Sequence, residues 1–394
     1  MLQEKIHTYI ASPRKSDLHS WVAETLDLIK PWGTVVKVNL FFGAIDSFDF
    51  FRFRQAVLQE GEKRWPKARP VLNCIGQSPV AADLMLEVIT LKLQGCQVRY
   101  HTETPLYAIT IKQEGQTHLY TSYASETAGF DSKETSENAM QDLGQTLDRL
   151  GFGRQHIKRQ WNYIERITHC TTNGQHYQNF NNSRAAFFDQ IPWPYGYPAA
   201  TGIGTSYGGL VIDTLAVKGV PLEIALDNPL QQAAHGYSEQ VLVGHSQKQT
   251  PKFERAKCIC DATSGMLYIS GTAAIRGEAS LAQADVIEQT QITLENIKAV
   301  LEHADLPIDL DGHPPKMRGE VARVYLKNPS DWSVVKPLCH AFFGDRIIPL
   351  HADVCRPSLL IEIEATYSFI KNLKHEKNPV SLTGAGLDLR SADR

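Results

Sequence analysis

Several common protein classes are excluded by what the sequence lacks. Its seven cysteines (Cys74, Cys96, Cys170, Cys258, Cys260, Cys339 and Cys355) are an odd, scattered set with no C-x-x-C pair, so neither a disulfide framework nor a zinc knuckle is indicated. The P-loop and dinucleotide fingerprints are missing too. The glycines of TGIGTSYGG (Thr201 to Gly209) do not have the required spacing before a helix, and the stretch reads as a turn. There is no basic tract: 40 Lys plus Arg stand against 43 Asp plus Glu, a formal charge of -3, so nucleic acid is not an expected partner. No run approaches the roughly 18 apolar residues a membrane helix needs. The opening MLQEKIHTYIASPRK has no signal-peptide core, so a cytoplasmic protein without a membrane partner is expected.

What the chain does have is length and an ordinary globular balance. Its 394 residues are 42% hydrophobic and 21% charged, enough apolar surface for two or three domains of roughly 100 to 200 residues. Cys258 and Cys260 sit two apart in AKCICD, where a strand would put both on one face as packing; a redox or metal role is the alternative.

One pattern, strand, helix, strand, helix, strand, recurs three times. The last copy is the clearest: LYISG (267–271), the amphipathic ADVIEQTQITLENIKAVLEHADL (284–306), EVARVYL (320–326), DWSVVKPLCHAFFG (331–344) and SLLIEIEA (358–365). The middle copy runs through LYTSYA (119–124), ENAMQDLGQTLDRLGF (137–152), RQWNYIERI (159–167), YQNFNNSRAAFF (177–188) and GLVIDTLAV (209–217). The first uses HTYIAS (7–12), DLHSWVAETLDLIKPWG (17–33), TVVKVNLFF (34–42), FDFFRFRQAVLQEG (48–61) and DLMLEVITL (83–91). The fold class is therefore α+β. Two helices would cover one face of each sheet and the other face would be apolar, so the sheets must pack on one another. A pseudo-threefold barrel of sheets with the helices outside is expected. The boundaries fall at 1–97, 98–245 and 246–378, with 379–394 a tail.

Aligning the closing strands puts Glu87, Asp213 and Glu362 at one pseudo-equivalent position among aliphatic residues. For Glu87 and Asp213 the expected setting is a rim, with solvent or an arginine alongside. In LLIEIE, Glu362 and Glu364 point to one side of the strand, and a partly desolvated Glu362 with a raised pKa could exchange a proton near neutral pH.

QTQITLENIKAVLEHADL, EVARVYLKNPSDW and LLIEIEA resemble the RidA/YjgF family, small trimeric proteins of chorismate-mutase-like fold with ligand sites in the clefts between subunits. From about residue 107 to residue 370 the chain resembles the chorismatases, enzymes built on RidA-like units that remove pyruvate from chorismate. The resemblance is carried by RQWNYI (159–164), YQNFNNSRAAFF, PAATGIG (198–204), DNP-x-Q (227–231), PKFERA (251–256), LYISGTAAI (267–275) and ADVCRPSLLIEIE (352–364). It implies chorismate as an anionic small-molecule substrate, 3-hydroxybenzoate and pyruvate as products, and neither metal nor organic cofactor. Protonating the enolpyruvyl methylene makes the pyruvyl group leave, and Glu362 stands where the family has its catalytic glutamate. Guanidinium forks would hold the two carboxylates; Arg159, evenly divided between that role and a structural one, and Arg184, with an internal salt bridge as its alternative, are the candidates.

Gln231, Gly271 and Cys355 resemble the 3-hydroxybenzoate-forming type rather than the hydrolytic type, which yields a dihydroxycyclohexadiene carboxylate. Gly271 would let the ring sit deeper. Cys355 would assist proton movement or be only a small apolar wall. The family's glycine-proline-arginine stretch is absent, with Lys248 as a possible point charge in its place, and the first hundred residues read as a third, divergent unit. Two readings remain beside the first: a RidA-like imine deaminase in which Arg356 grips a carboxylate, and a non-catalytic ligand-binding protein. One chain would imitate a trimer, either alone or as a homo-oligomer.

Overall fold

The structure is a computed structural model that describes residues 2–370, apart from 31–32, 127–129, 244–247, 262, 304–305 and 307–314. The tail expected at 379–394 lies outside the described residues. The first sheet comprises β1 (Lys5–Ile10), β2 (Thr34–Phe42), β3 (Val71–Ile75) and β4 (Leu84–Leu91) in the order β1-β4-β2-β3, with α1 (Leu18–Asp27) and α2 (Ser47–Arg64). The second, ordered β11-β8-β12-β7-β6-β5, is built from β5 (Gln97–His101), β6 (Ala108–Gln113), β7 (Gln116–Ala124), β8 (Ile157–Glu165), β11 (Ala199–Thr205) and β12 (Leu210–Lys218). It carries α3 (Ser132–Arg149), α4 (His176–Phe188) and a small hairpin, β9 (Cys170–Thr171) with β10 (Gly174–Gln175). The third, ordered β13-β14-β15-β20-β18-β19, uses β13 (Leu222–Leu226), β14 (Ala256–Cys260), β15 (Ser264–Ala273), β18 (Met317–Leu326), β19 (Ile347–His351) and β20 (Ile361–Ile370). With it go α5 (Val286–Glu302), α6 (Trp332–Phe343) and the hairpin of β16 (Ile275–Arg276) and β17 (Ala279–Ser280).

Every strand and helix expected from the three copies is present. Four helices begin at an aspartate whose carboxylate accepts a backbone N–H of the first turn: Asp17, Asp46, Asp131 and Asp285. Other strands lie outside the three copies, and three of these take the same place in each. β3, β11 and β19 each follow the second helix of their copy and pair in parallel with its middle strand, β2, β8 or β18. β11 replaces the turn read at Thr201 to Gly209, where only the end of the stretch bends. It escapes the periodicity because AATGIGT offers small residues in place of an alternating apolar face. β13 pairs with β14, so the third sheet draws on a strand that precedes residue 246.

The helices cover one face of each sheet as expected. Trp21, Val22 and Phe53 pack on Phe42 and Leu86; Leu143, Phe180 and Phe188 pack near Ile212; Ile297, Val300, Val335 and Cys339 pack near Ile363. The opposite faces meet in a common cluster that includes Phe41, Ile89, Tyr120, Trp161, Tyr163, Met266, Tyr268 and Tyr325. The three sheets are not joined by hydrogen bonds into one closed barrel among the described residues.

The inner faces depart from the purely apolar surfaces expected of them. Glu4, Lys37, Glu87, Arg159, Asp213, Arg323 and Glu364 are all buried there. Glu87 and Asp213 are accordingly not rim groups. Asp213 pairs with Lys37 of the first sheet at 2.7 Å. Glu87 accepts from Arg323 of the third sheet through both oxygens, at 2.6 and 2.8 Å, and from Asn39 at 2.9 Å. Glu87 and Asp213 tolerate burial because each has a hydrogen-bonded counter-ion. They also hold the sheets in one relative register.

Candidate active site

The register explains why the third acid differs from the other two. Glu87 faces Asn39 across β2/β4, Asp213 faces Trp161 across β8/β12, and Glu362 faces Tyr325 across β18/β20. Each facing residue lies two after a buried cation: Lys37, Arg159 and Arg323. Glu87 and Asp213 take the cation of a neighbouring sheet directly. At the third position Arg159 instead binds Glu364, two residues beyond Glu362, and donates to Thr201 Oγ1 at 3.0 Å.

Glu364 is held on all sides. Beside Arg159 it accepts from Thr201 Oγ1, from Arg323 Nη1 at 2.7 Å and from the Tyr325 hydroxyl at 3.1 Å. Burial pushes its pKa up, but Arg159 and Arg323 together with these hydroxyls bring it below the ordinary carboxylate value. Glu362 has no such cage. It is 4% exposed and makes no hydrogen bond with any described residue. Burial, and next the charge of Glu364, raise its pKa to about 8, against the pull of Arg159 and Arg255. Two carboxyls on one strand face are thus driven apart, one kept protonated at neutral pH and one ionised, an environment fit for a proton donor.

A bulge makes room for it. The pairing of β15 with β20 shifts between Ile269 and Thr272, so Ser270 and Gly271 leave the ladder and bond elsewhere. Ser270 Oγ accepts from Ala200 N at 3.0 Å, and Gly271 N donates to Thr201 Oγ1 at 3.1 Å. A Cβ on Gly271 would lie 2.1 Å from Glu362 Oε1. The carboxyl beside it thus supplies a reason for a glycine at this position.

Arg184 lies past the middle of α4 and is 1% exposed. It donates to Asn181 Oδ1 at 2.8 Å and hydrogen-bonds Tyr177, its Nε has no partner, and no carboxylate among the described residues pairs with it. Burial lowers its pKa to about 10. The internal salt bridge weighed from the sequence is absent among the described residues. The Tyr177 phenol, hydrogen-bonded to Arg184, also lies within electrostatic reach of Cys355 and Glu362.

A family model, "Chorismatase FkbO/Hyg5-like, N-terminal", matches residues 98–216. A 3-hydroxybenzoate synthase of Streptomyces hygroscopicus is 31% identical over 223 residues, 54% of this chain and 64% of that protein. A chorismatase of the same organism is 31% identical over 218 residues, 53% of this chain and 60% of that one. These alignments span a little under two thirds of the relatives' own length. Among solved structures, a crystal structure of a chorismatase superposes with a TM-score of 0.66 at 20% identity, covering 93% of this chain and 98% of that one. The relatives it matches are thus a 3-hydroxybenzoate synthase and a chorismatase. The mixed α+β architecture agrees with that of the solved chorismatase.

The other residues singled out from the sequence fall in different settings. Cys355 faces Glu362 and Arg356, and burial pushes its thiol up to about 12, so it stands as a neutral thiol. Gln231 is engaged by the fold: its carbonyl accepts from Asn228 at 3.0 Å and its amide donates to Ile275 O at 3.2 Å. Arg356 donates to Glu278 O and Ser280 Oγ and lies over the Tyr237 ring. Lys248 is not among the cations acting on Glu362. Arg255, which entered the sequence pattern only within PKFERA, is one of them; it donates to Gln232 O and to the Tyr237 hydroxyl, and its Nε is unpartnered. Thr201 and Tyr177 were missed as well. A cleft of about 800 Å³ between α2, β3, the end of β7 and α3 contains none of these residues. Among the described residues no helix is long and apolar enough to cross a membrane.

Proposed function

We propose that this protein is a chorismatase that converts chorismate to 3-hydroxybenzoate and pyruvate, with Glu362 as the acid. The observation that carries the reading is the split pair Glu362 and Glu364: a buried carboxyl without hydrogen bonds, pKa about 8, beside an ionised one. Glu362 gives its proton to the terminal methylene of the enolpyruvyl ether, and the resulting oxocarbenium-like centre turns the pyruvyl group into a leaving group. The neighbouring ring hydroxyl then attacks the ring carbon that bears the leaving group; the C–O bond to that group breaks as pyruvate departs and the hydroxyl proton is lost, leaving an arene-oxide-like intermediate. One C–O bond of this oxide opens as its oxygen is protonated, and loss of a ring proton restores the aromatic ring. Arg184 holds one substrate carboxylate, since a buried guanidinium without a counter-ion is matched by an anion. Arg255 serves the second, taking the place of the missing glycine-proline-arginine stretch. Arg159 is a structural clamp on Glu364 rather than a substrate ligand. Cys355 donates or relays a proton as the neutral thiol when the oxide opens. We propose further that the three sheets form three RidA-like units around a pseudo-threefold axis, with the expected boundaries at 97/98 and 245/246 shifted so that β5 belongs to the second unit and β13 to the third.

The absence of a carboxylate for Arg184 among the described residues favours this over the deaminase reading, in which Arg356 is the anion holder. Incubation of purified protein with chorismate, followed by chromatography of aromatic products, tests the proposal. The expected product is 3-hydroxybenzoate. The diene diol alone would assign the hydrolytic type, and neither compound in the presence of an active control enzyme would overturn the reading.

A further inference from the structure

Glu87 and Asp213 show what happens to an acid at this register position when nothing intervenes: each takes the cation of the adjoining sheet and is fixed as a carboxylate salt. Glu362 has the equivalent place, and the cation due to it is Arg159. A second acid, two residues further along the same face of β20, intercepts that cation. We infer that Glu364 is a positioning residue: by binding Arg159 and Thr201 it withholds the arginine from Glu362 and so keeps Glu362 as a protonated acid. This rests on the proposed catalytic role of Glu362.

The charge balance supports it. Glu87, Arg323, Glu364 and Arg159 form a chain of two acids and two cations, linked at 2.6 to 2.8 Å through Arg323, with net charge zero. No cation of that chain is left over. The groups facing Glu362 are then Glu364 on its own strand, Tyr325 across β18, Arg159 from β8, Tyr177 from α4, Cys355 before β20 and Arg255 before β14. Of the two cations, Arg159 is committed to Glu364 and Thr201, while Arg255 hydrogen-bonds Gln232 O and Tyr237 through Nη2 and does not donate to Glu362. A carboxyl in low dielectric without a dedicated counter-ion retains its proton. Thr201 completes the device, accepting from Arg159 and from Gly271 N while donating to Glu364.

The test is the pH dependence of Glu362 itself, read in two ways. Without substrate, infrared difference spectroscopy follows the C=O band of the protonated carboxyl that Glu362→Gln removes. With chorismate, the same group gives the alkaline limb of kcat/KM. In Glu364→Gln, Arg159 is released to Glu362, and both readouts should move down by about 1 to 3 pH units, as expected for a carboxyl gaining an opposite charge. Glu364→Asp should keep them near the wild-type position. Arg159→Met should move them up, and combining it with Glu364→Gln should abolish the downward shift. If Glu364→Gln does not fold, Arg159→Met and Glu364→Asp decide the matter. A folded Glu364→Gln protein with its titration unmoved and turnover reduced equally at all pH, or a downward shift in Arg159→Met, would overturn the inference. The infrared titration needs no turnover, so failure of the chorismatase reading leaves it intact.

Discussion

Replacing Glu362 by glutamine should stabilise the protein, and by an amount that grows with pH. The folded-state pKa lies above the ordinary value, 4.5 raised to about 8, so between those values the folded chain binds a proton that the unfolded chain has released. Stability therefore falls as pH rises through that window. Each tenfold change in the acid constant between the unfolded and folded chain corresponds to about 1.4 kcal/mol. The cost of ionising or reprotonating this side chain is near zero at pH 4, about 3 kcal/mol at pH 7, and about 5 kcal/mol above pH 9. Glutamine does not titrate, so Glu362→Gln escapes this cost while every other group titrates alike in both proteins. A difference of this size is a large part of typical stability, about 5 to 15 kcal/mol. Urea unfolding of both proteins at half-unit steps from pH 5 to pH 9 measures it, with the m-values checked for equality. The account requires a stability difference in favour of the variant that increases across the series and levels off near pH 9. A constant difference, or one that shrinks with pH, would refute the claim that the carboxyl is held protonated by its surroundings.

Further expectations follow from the same contacts. Gly271→Ala puts a methyl 2.1 Å from Glu362 Oε1 and 3.1 Å from Thr201 Cγ2; it should cost about 1 to 3 kcal/mol of stability and reduce kcat at least about tenfold, seen by unfolding and steady-state assays. Arg184→Met should raise KM for chorismate about 10- to 1,000-fold, the loss of a charge-assisted contact of roughly 1.5 to 4 kcal/mol, while unfolding shows no loss of stability because a buried unpaired charge is removed. Arg323→Met leaves Glu87 uncompensated and should destabilise by about 3 to 5 kcal/mol, read from the urea midpoint. Cys355→Ala should leave chorismate consumption measurable but shift product from 3-hydroxybenzoate toward the diene diol, a ratio chromatography reports directly.

Amphipathic periodicity was enough to locate the six α-helices of the described residues and the strands of the three copies, because Trp21, Ile297 and their like repeat at a spacing that only one face can bury. It failed for β11, whose AATGIGT has no alternating face, and for the inner sheet surfaces. There Lys37, Arg159 and Arg323 occupy positions that alternation alone assigns to apolar side chains; partners such as Asp213 lie more than a hundred residues away and leave no local trace. Glu362 was legible because an acid between isoleucines on a closing strand demands an explanation. The neighbour that sets its protonation was visible only as a second acid on the same face. Gly271 was picked out for a different reason from the one its contacts supply, and Arg255 lay unremarked inside a longer motif. Distances between sheets, not spacing along the chain, decide which cation serves which carboxylate.

The most direct test of proton delivery by Glu362 is the reaction with chorismate in D2O, with pyruvate reduced to lactate as it forms and examined by mass spectrometry. Transfer from Glu362 to the enolpyruvyl methylene predicts one deuterium in the lactate methyl group, 3-hydroxybenzoate in equal amount, and neither product from Glu362→Gln. Pyruvate formed at the wild-type rate by Glu362→Gln, or no pyruvate from the wild-type protein, would contradict it.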